Sequence, residues 1–156
     1  ALFASKRDSQ AALLRAGAVN QLVLFARDKE DAGVARYGSL GIGNLAVQSQ
    51  NHQELFDTGA VMSLLPLATS DDLETRRCVA FGLNNIATNE ANHRVCERMG
   101  VLRPLVQLLK DPDVDVHLQA CFAIRQLSLT PKCRFQFIEL KGLHPLLQLA
   151  ESDSIE

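Results

Sequence analysis

The sequence predicts an all-α protein, a right-handed α-solenoid in which units of about 41 residues each contain three helices. Two repeated markers carry this prediction. A glycine followed by small or apolar residues recurs at intervals of 42, 41 and 42 residues, at Gly17, Gly59, Gly100 and Gly142. A second motif recurs at intervals of 41 residues, beginning at Gly41, Gly82 and Ala123. Because both markers share one period, the chain is expected to be a stack of similar units.

Each predicted helix has its own signals within the unit. A short first helix is predicted from 90 to 99, where apolar residues recur at helical spacing and Gly100 follows the last of them. A second helix follows at once, and Pro104 is tolerated in its first turn because its missing N–H is not needed there. Pro66 lies deeper in the equivalent helix, so a local kink is expected. The third and longest helix begins after segments such as Asp111-Pro112-Asp113, which supply helix N-caps.

The motif in the third helix and the glycine between the first two helices resemble a known family of repeats. The motif reads GIGNLA from residue 41, GLNNIA from residue 82 and AIRQLS from residue 123. This Leu/Ile-x-Asn-Leu/Ile-Ala pattern is similar to that of the armadillo repeat family, seen in importin-α, β-catenin and vacuolar-type armadillo proteins. The resemblance covers the whole chain and implies that the third helices line a concave surface. HEAT repeats, with two helices per unit, are the alternative, but the extra short helix favours armadillo repeats.

The period divides the chain into a single domain of consecutive repeats. The predicted units are residues 6–47, 48–88 and 89–129, with the end of a preceding repeat at 1–5 and a partial fourth at 130–156. Each unit of a solenoid buries its apolar face on its neighbours. We therefore expect this chain to be a fragment of a longer armadillo protein, with truncated ends that can associate end to end.

The third helices can be divided into rows of equivalent residues. Rows 42/83/124 and 45/86/127 are apolar and row 41/82/123 is small, so these rows are predicted to pack against neighbouring helices. Another face combines amides with a large apolar side chain in every unit, which is unusual for a solvated surface. We call it the concave stripe, and its nine residues are Tyr37, Leu40, Asn44, Cys78, Phe81, Asn85, Gln119, Phe122 and Gln126.

The concave stripe is the predicted binding site for an extended peptide of a protein partner. The resemblance implies that Asn44 and Asn85 hydrogen-bond the ligand's main chain, and an amide has the donor and the acceptor that this requires. Packed helices lie ~10 Å apart and an extended chain advances about 3.3 Å per residue, so each unit addresses about two to three ligand residues. The predicted function is therefore a protein-interaction module.

Two substitutions separate this stripe from an importin-type groove. That groove has tryptophan four residues before the asparagine, where this chain has leucine or phenylalanine, and the chain contains no tryptophan. Binding of classical nuclear localisation signals is therefore not expected. In the third unit Gln126 replaces the asparagine, so contact with a ligand main chain is expected to be weaker or differently spaced there.

Charged and titratable residues near the stripe leave several interpretations open. Arg36 and Arg77 flank it, either as solvated charges or as contacts for an acidic or phosphorylated ligand segment. His52 and His93 lie at equivalent positions at the start of short first helices, where a capping or surface role is predicted rather than metal binding or catalysis.

The four cysteines indicate no metal site, because no CxxC pair and no cluster at ligand spacing is present. Cys78 lies on the stripe, Cys96 and Cys121 are predicted to be small core residues, and Cys133 is predicted to be an exposed thiol. Reduced thiols favour a cytoplasmic location, with the nucleus as the alternative. No cofactor is predicted.

Composition and motifs narrow the function classes further. The 156 residues are 47% hydrophobic and carry a net charge of −2, which predicts a folded soluble domain without affinity for nucleic acid. No apolar stretch is long enough to insert into a membrane, and no catalytic motif appears, so this segment is not predicted to be an enzyme. A structural alternative stays open: a scaffold or docking wall in a cytoskeletal, ciliary or membrane-tethered assembly that uses its convex or end surfaces. The parent protein can also carry a catalytic domain elsewhere, for which this segment recruits substrate.

Overall fold

The computed structural model describes Leu14 and residues 16–151, and this part of the chain consists of helices joined by short turns. The expectations for residues 1–5 and for the last residues after 151 lie outside the described residues. The helices of the first unit are α1 (Ala18–Ala26) and α2 (Ala32–Ala46), and those of the second are α3 (His52–Asp57), α4 (Ala60–Leu64) and α5 (Leu73–Ala87). The third unit contains α6 (His93–Met99), α7 (Leu102–Leu108) and α8 (Val114–Leu127), and the fourth contains α9 (Pro131–Glu139) and α10 (Leu143–Glu151).

The long third helices, α2, α5 and α8, pack side by side in chain order, and the shorter helices of each unit pack on them. The predicted packing rows form the core of this stack. Their six large members are at most 4% exposed: Ile42, Leu83, Ile124, Leu45, Ile86 and Leu127. The all-α solenoid predicted from the repeat period is confirmed.

The N-terminal ends of the third helices are capped as predicted. The Asp72 carboxylate accepts a hydrogen bond from the backbone N–H of Thr75 at 2.9 Å, and Asp31 and Asp113 cap α2 and α8 in the same way. An aspartate at this position satisfies one of the N–H groups that the first turn of a helix leaves unpaired. These caps therefore define where each third helix begins.

The turn between the first and second helices requires a left-handed backbone. Gly17, Gly59 and Gly100 have φ values of 70°, 75° and 72°, which glycine adopts without strain. In the fourth unit Lys141 takes this conformation instead, with φ of 57°. Gly142 is needed there for a different reason, since a Cβ atom on it would lie 2.1 Å from the Phe137 ring. The fourth turn thus departs from the repeat although the sequence marker is present.

Pro66 disturbs its helix as the sequence predicts. The α-helix α4 ends at Leu64 and continues as a 3₁₀ helix over Leu65–Thr69. Proline has no N–H for the next i→i−4 hydrogen bond, so the chain changes to the tighter winding at this point.

Polar side chains of the first helices cap the C-terminal ends of the preceding third helices. The Asn51 and Asn92 amides donate to the carbonyls of Leu45 and Ile86, at 2.9 and 2.8 Å. The last carbonyls of a helix have no partner within it, so a buried helix end needs such donors. In the second and third units, an asparagine at this position therefore anchors the first helix to the preceding third helix.

The two histidines continue this pattern. His52 Nε2 donates to the Ala46 carbonyl at 2.7 Å, and His93 Nε2 donates to the Ala87 carbonyl at 2.8 Å. Both side chains are buried, at 3% exposure, so the surface alternative is wrong. Each histidine caps the end of the preceding third helix rather than the start of its own first helix. Asn92 also donates to His52 Nδ1 at 2.7 Å, which links the second and third units directly.

The fourth unit replaces both capping residues. Thr130 Oγ1 donates to the Leu127 carbonyl at 2.9 Å, and Arg134 Nη1 donates to the Ser128 carbonyl at 2.8 Å, so the end of α8 is still capped. Cys133 occupies the place of the buried asparagine and is itself fully buried. The prediction that Cys133 is exposed is therefore wrong, because its position faces the preceding third helix.

Replacing Asn92 with alanine should destabilise the stack. The change removes both hydrogen bonds of the amide and leaves the Ile86 carbonyl and His52 Nδ1 buried without their donor, which costs about 1–3 kcal/mol per group. Urea unfolding followed by circular dichroism should show a free energy of unfolding lowered by roughly 2–4 kcal/mol. Asn89→Ala is the control, since Asn89 caps only the exposed backbone N–H of Ala91, and an equal loss in both variants would contradict the role of Asn92.

Candidate functional site

The nine residues of the concave stripe lie on one face of the three adjacent third helices. None of them is fully buried. Tyr37 and Phe122 are 57% and 50% exposed, and the other seven are partly exposed. Because α2, α5 and α8 are neighbours, the three sets of stripe residues form one continuous surface rather than three separate patches. The structure thus brings the predicted site residues together.

The aromatic ring of Phe81 lies across the junction between the first two units. A Cβ atom on Gly43 would be 3.1 Å from Phe81 Cδ1, so the ring rests on the backbone of α2 where Gly43 has no side chain. Gly82 lies close as well, since a Cβ atom there would be 3.3 Å from Gly43 Cα. One part of Phe81 therefore supports the helix packing while the rest of the side chain stays on the stripe.

Asn85 has an amide group that the fold leaves partly unsatisfied. Its Nδ2 atom is buried and has no hydrogen-bond partner among the described residues. An unpaired buried donor costs about 1–3 kcal/mol, so native proteins tolerate few of them. Beside Asn85 is a cleft of about 460 Å³ at the C-terminal ends of α2 and α5, which is lined by Val47, Gln48, Ser49, His52, Asn85, Thr88 and Asn89.

Asn84, the other asparagine of the GLNNIA motif, was not among the predicted site residues. Its Nδ2 donates to Oε1 of Gln119 at 2.7 Å, which joins α5 to α8 through a stripe residue. Its Oδ1 atom is buried without a partner in the part of the chain that the structure describes. The signal in the sequence was the doubled asparagine, since the equivalent residues are Gly43 and Arg125.

The two arginines beside the stripe are held by carboxylates of the next unit. Arg77 binds both oxygens of Asp113, at 3.1 and 2.6 Å, and donates to Glu74 at 2.8 Å. Arg36 lies 3.9 Å from the Asp72 carboxylate and 5.3 Å above the Tyr37 ring. The interpretation of Arg77 as a plain solvated charge is wrong, whereas Arg36 is only loosely paired and stays 36% exposed. Contact of Arg77 with an acidic ligand gains no support because its charge is already paired.

These contacts also shift the pKa values of the aspartates and of Arg77. The hydrogen bond from Arg77 is the main cause that lowers the pKa of Asp113, and the same pair raises the pKa of Arg77. The pKa of Asp72 is lowered chiefly by the hydrogen bond from the Thr75 hydroxyl, with a contribution from Arg36. Each N-cap aspartate of α5 and α8 therefore binds its own helix and an arginine of the preceding unit.

Full or partial burial lowers the reactivity of the four thiols. Cys96 and Cys133 are fully buried, as predicted for Cys96, and Cys121 is only half buried against the core. Burial raises the pKa of Cys96 to about 12 and that of Cys78, on the stripe, to about 11. The pKa of Cys121 is raised for the same reason. A thiol nucleophile at neutral pH is therefore not part of this surface.

Between 16 and 151, no group of three or more His, Cys, Asp or Glu side chains is arranged to hold a metal ion. None of the helices in that range is both long enough and apolar enough to cross a membrane.

Comparison with known proteins agrees with this geometry. Residues 95–129 match the family model of the armadillo/beta-catenin-like repeat. A designed armadillo repeat protein in complex with the peptide (KR)4 superposes with a TM-score of 0.88 at 27% identity, over 99% of this chain and 66% of that one. Computationally designed armadillo repeat proteins for modular peptide recognition give a TM-score of 0.89, with the same identity and coverage. A comparison with curated proteins gives no match.

The fold and the stripe define a helical repeat protein whose third helices form a shared surface. The match to the repeat model over residues 95–129 and the superpositions identify the type of repeat: the described residues have the fold of an armadillo-repeat solenoid. It spans 66% of the length of the two designed proteins.

Thiol alkylation should follow burial and pH. At pH 7.5 iodoacetamide should leave Cys96 and Cys133 unmodified in the folded protein and modify Cys78 and Cys121 slowly. Because the pKa of Cys78 is about 11, its rate should rise about tenfold per pH unit up to that value while the fold persists. Mass spectrometry of peptides reads each site, and fast labelling of Cys133 would show that its buried position is wrong.

Changing Asp113 to asparagine should alter the acid dependence of stability. Asparagine keeps the helix cap but loses the charge that pairs with Arg77. Since the pKa of Asp113 is lowered in the folded protein from its ordinary 3.8, its contribution is present above that value and is lost as the pH falls through the folded pKa. Wild type should be more stable than the variant at pH 7, and the difference should shrink below pH about 4. Urea unfolding at several pH values measures it, and a constant difference would contradict the ion pair.

Proposed function

We propose that this chain is a protein-interaction module that binds an extended peptide segment of a partner along the concave stripe. The observation that carries the proposal is the amide of Asn85, whose Nδ2 is buried without a partner among the described residues, beside a cleft at the C-terminal ends of α2 and α5. A main-chain carbonyl of a ligand is an acceptor of the right kind for this donor. Binding would then satisfy a group that the free protein leaves unpaired.

The side chains around Asn85 suit the rest of an extended ligand. Tyr37 and Phe122 present more exposed ring surface than Phe81, which is partly buried, and such rings bind apolar side chains with little loss of conformational freedom. With about two to three ligand residues per unit, three units would contact roughly six to nine residues. The amides would hold the main chain while the rings select the side chains.

The similar structures support a peptide as the kind of ligand. One of them is a complex with the peptide (KR)4, and another is described as designed for modular peptide recognition. The sequence of the ligand of this chain is a separate matter, since the stripe has no tryptophan and its arginines are paired within the protein.

A second candidate is an assembly role through the end of the stack. Four large apolar side chains on α9 and α10 are more than half exposed: Phe135, Ile138, Leu143 and Leu147. Such a surface favours contact with another apolar surface. This candidate uses residues far from the stripe in the sequence, so the two can be tested separately.

A peptide selection tests the proposal. Phage-displayed peptides of about nine random residues would be panned against the chain, and the affinities of selected peptides would be measured by fluorescence polarisation. Asn85→Ala should weaken binding about 5-fold to 30-fold, which corresponds to about 1–2 kcal/mol for one hydrogen bond.

Gln107→Ala, an exposed change on α7, is the matched control and should bind as wild type does. Circular dichroism would show that both variants are equally helical. Peptides that bind wild type and Asn85→Ala equally would sink the proposal. Peptides whose footprint by hydrogen exchange maps to α9 and α10 would favour the second candidate.

A further inference from the structure

The hydrogen bond between Asn84 and Gln119 is the starting point, because it joins a residue outside the stripe to one on it. Asn84 Nδ2 lies 2.7 Å from Gln119 Oε1, across the junction of α5 and α8. The Oε1 acceptor of Gln119 is therefore already hydrogen-bonded within the protein. The Nε2 atom of the same amide group carries its two N–H donors.

The first junction of third helices lacks this arrangement. Gly43 is the residue equivalent to Asn84, and a Cβ atom on it would lie 3.4 Å from the Cys78 carbonyl oxygen. Cys78 is in turn equivalent to Gln119. Gly43 therefore lies opposite Cys78 as Asn84 lies opposite Gln119. Gly43 has no side chain to reach across, whereas the Asn84 amide is hydrogen-bonded to the Gln119 amide.

A bond of this kind changes how much a glutamine can contribute to binding. Ordering a free glutamine side chain costs about 1.5–2 kcal/mol of conformational entropy. Gln119 is already held in the free protein, so a ligand would not have to order it, and preorganised contacts give more affinity per hydrogen bond. Gln126 is also on the stripe, but its side chain makes no hydrogen bond to the described residues that would hold it in one conformation.

We infer that Asn84 is a positioning residue, which fixes Gln119 so that Gln119 donates to the ligand main chain in the third unit in place of Gln126. This inference rests on the proposed function. It also assigns a path to the ligand. Gln119 precedes Gln126 by two helical turns, about 10 Å along α8, so the ligand crosses obliquely from Asn85 on α5 to Gln119 on α8.

The distance along this path sets the spacing of the ligand's acceptors. A step of ~10 Å between helices combined with about 10 Å along the helix is roughly 14 Å, or about four residues of extended chain. The ligand is therefore an extended peptide with two accessible main-chain carbonyls about four residues apart.

The test uses a peptide selected by display that loses affinity in Asn85→Ala, and measures its binding by isothermal titration calorimetry. Gln119→Ala should weaken binding about 5-fold to 10-fold, and Gln126→Ala less than twofold. Asn84→Ala should weaken binding about 3-fold to 10-fold. The double variant Asn84→Ala, Gln119→Ala should bind no more weakly than Gln119→Ala alone, because the two residues act as one unit.

Asn84→Asp separates positioning from packing. A carboxylate at this position has nearly the same shape, but it accepts from Gln119 Nε2 rather than donating to Oε1, so it turns the donor away from the ligand. Asn84→Asp should therefore lose affinity like Asn84→Ala. Because one carboxylate oxygen is then buried without a partner, its thermal stability is expected to fall, so binding is compared at a temperature where circular dichroism shows wild-type helicity. A purely structural role would leave its binding unchanged.

The outcomes are distinct for the two proposals. Additive losses in the double variant, full binding by Asn84→Asp, or a larger loss in Gln126→Ala than in Gln119→Ala would each overturn the role of Asn84. If Asn85→Ala still weakens binding in that case, the proposed function stands. If no selected peptide is sensitive to Asn85→Ala, the proposed function fails and this inference fails with it.

Discussion

The side-by-side packing of the third helices is the constraint on which the rest of the structure depends. The backbones of α2 and α5 approach closely where Gly43 meets Gly82, and a Cβ atom on Gly82 would lie 3.3 Å from the neighbouring Cα. At the next junction Asn84 and Ala123 take these positions, and a hydrogen bond between amides replaces the bare backbone contact. The stripe exists because these contacts hold equivalent faces of the helices next to each other.

Polar contacts stabilise both ends of the packed third helices. At the N-terminal ends, Arg36 and Arg77 reach the N-cap aspartates of the following unit. At the C-terminal ends, an asparagine and a histidine of the following unit take the last carbonyls of α2 and α5. Charged side chains therefore pair between units, and the concave stripe consists mainly of amides and apolar or aromatic side chains. Under the proposed function, this division would favour recognition of a peptide main chain over recognition of charge.

The two adjacent asparagines of the GLNNIA motif have different tasks because successive residues of a helix point about 100° apart. Asn85 lies in the row with Asn44 and has a buried amide nitrogen with no partner among the described residues. Asn84 points toward the next helix and engages Gln119. One residue has a buried donor without a partner among the described residues, and its neighbour is hydrogen-bonded to the next helix. Under the proposed function, this helix would contribute to binding in two units at once.

The sequence by itself determined the features that depend on local periodicity. These are the repeat length, the helix starts at aspartate, the disturbance at Pro66 and the buried rows such as Ile42 and Leu83. The tertiary structure decided what depends on partners far along the chain. Arg77 meets Asp113 36 residues away, and Asn92 meets His52 40 residues away. Burial of Cys133 and the hydrogen bond between Asn84 and Gln119 are such contacts, because the pattern shows which face a residue is on but not which atoms of the next unit lie opposite it.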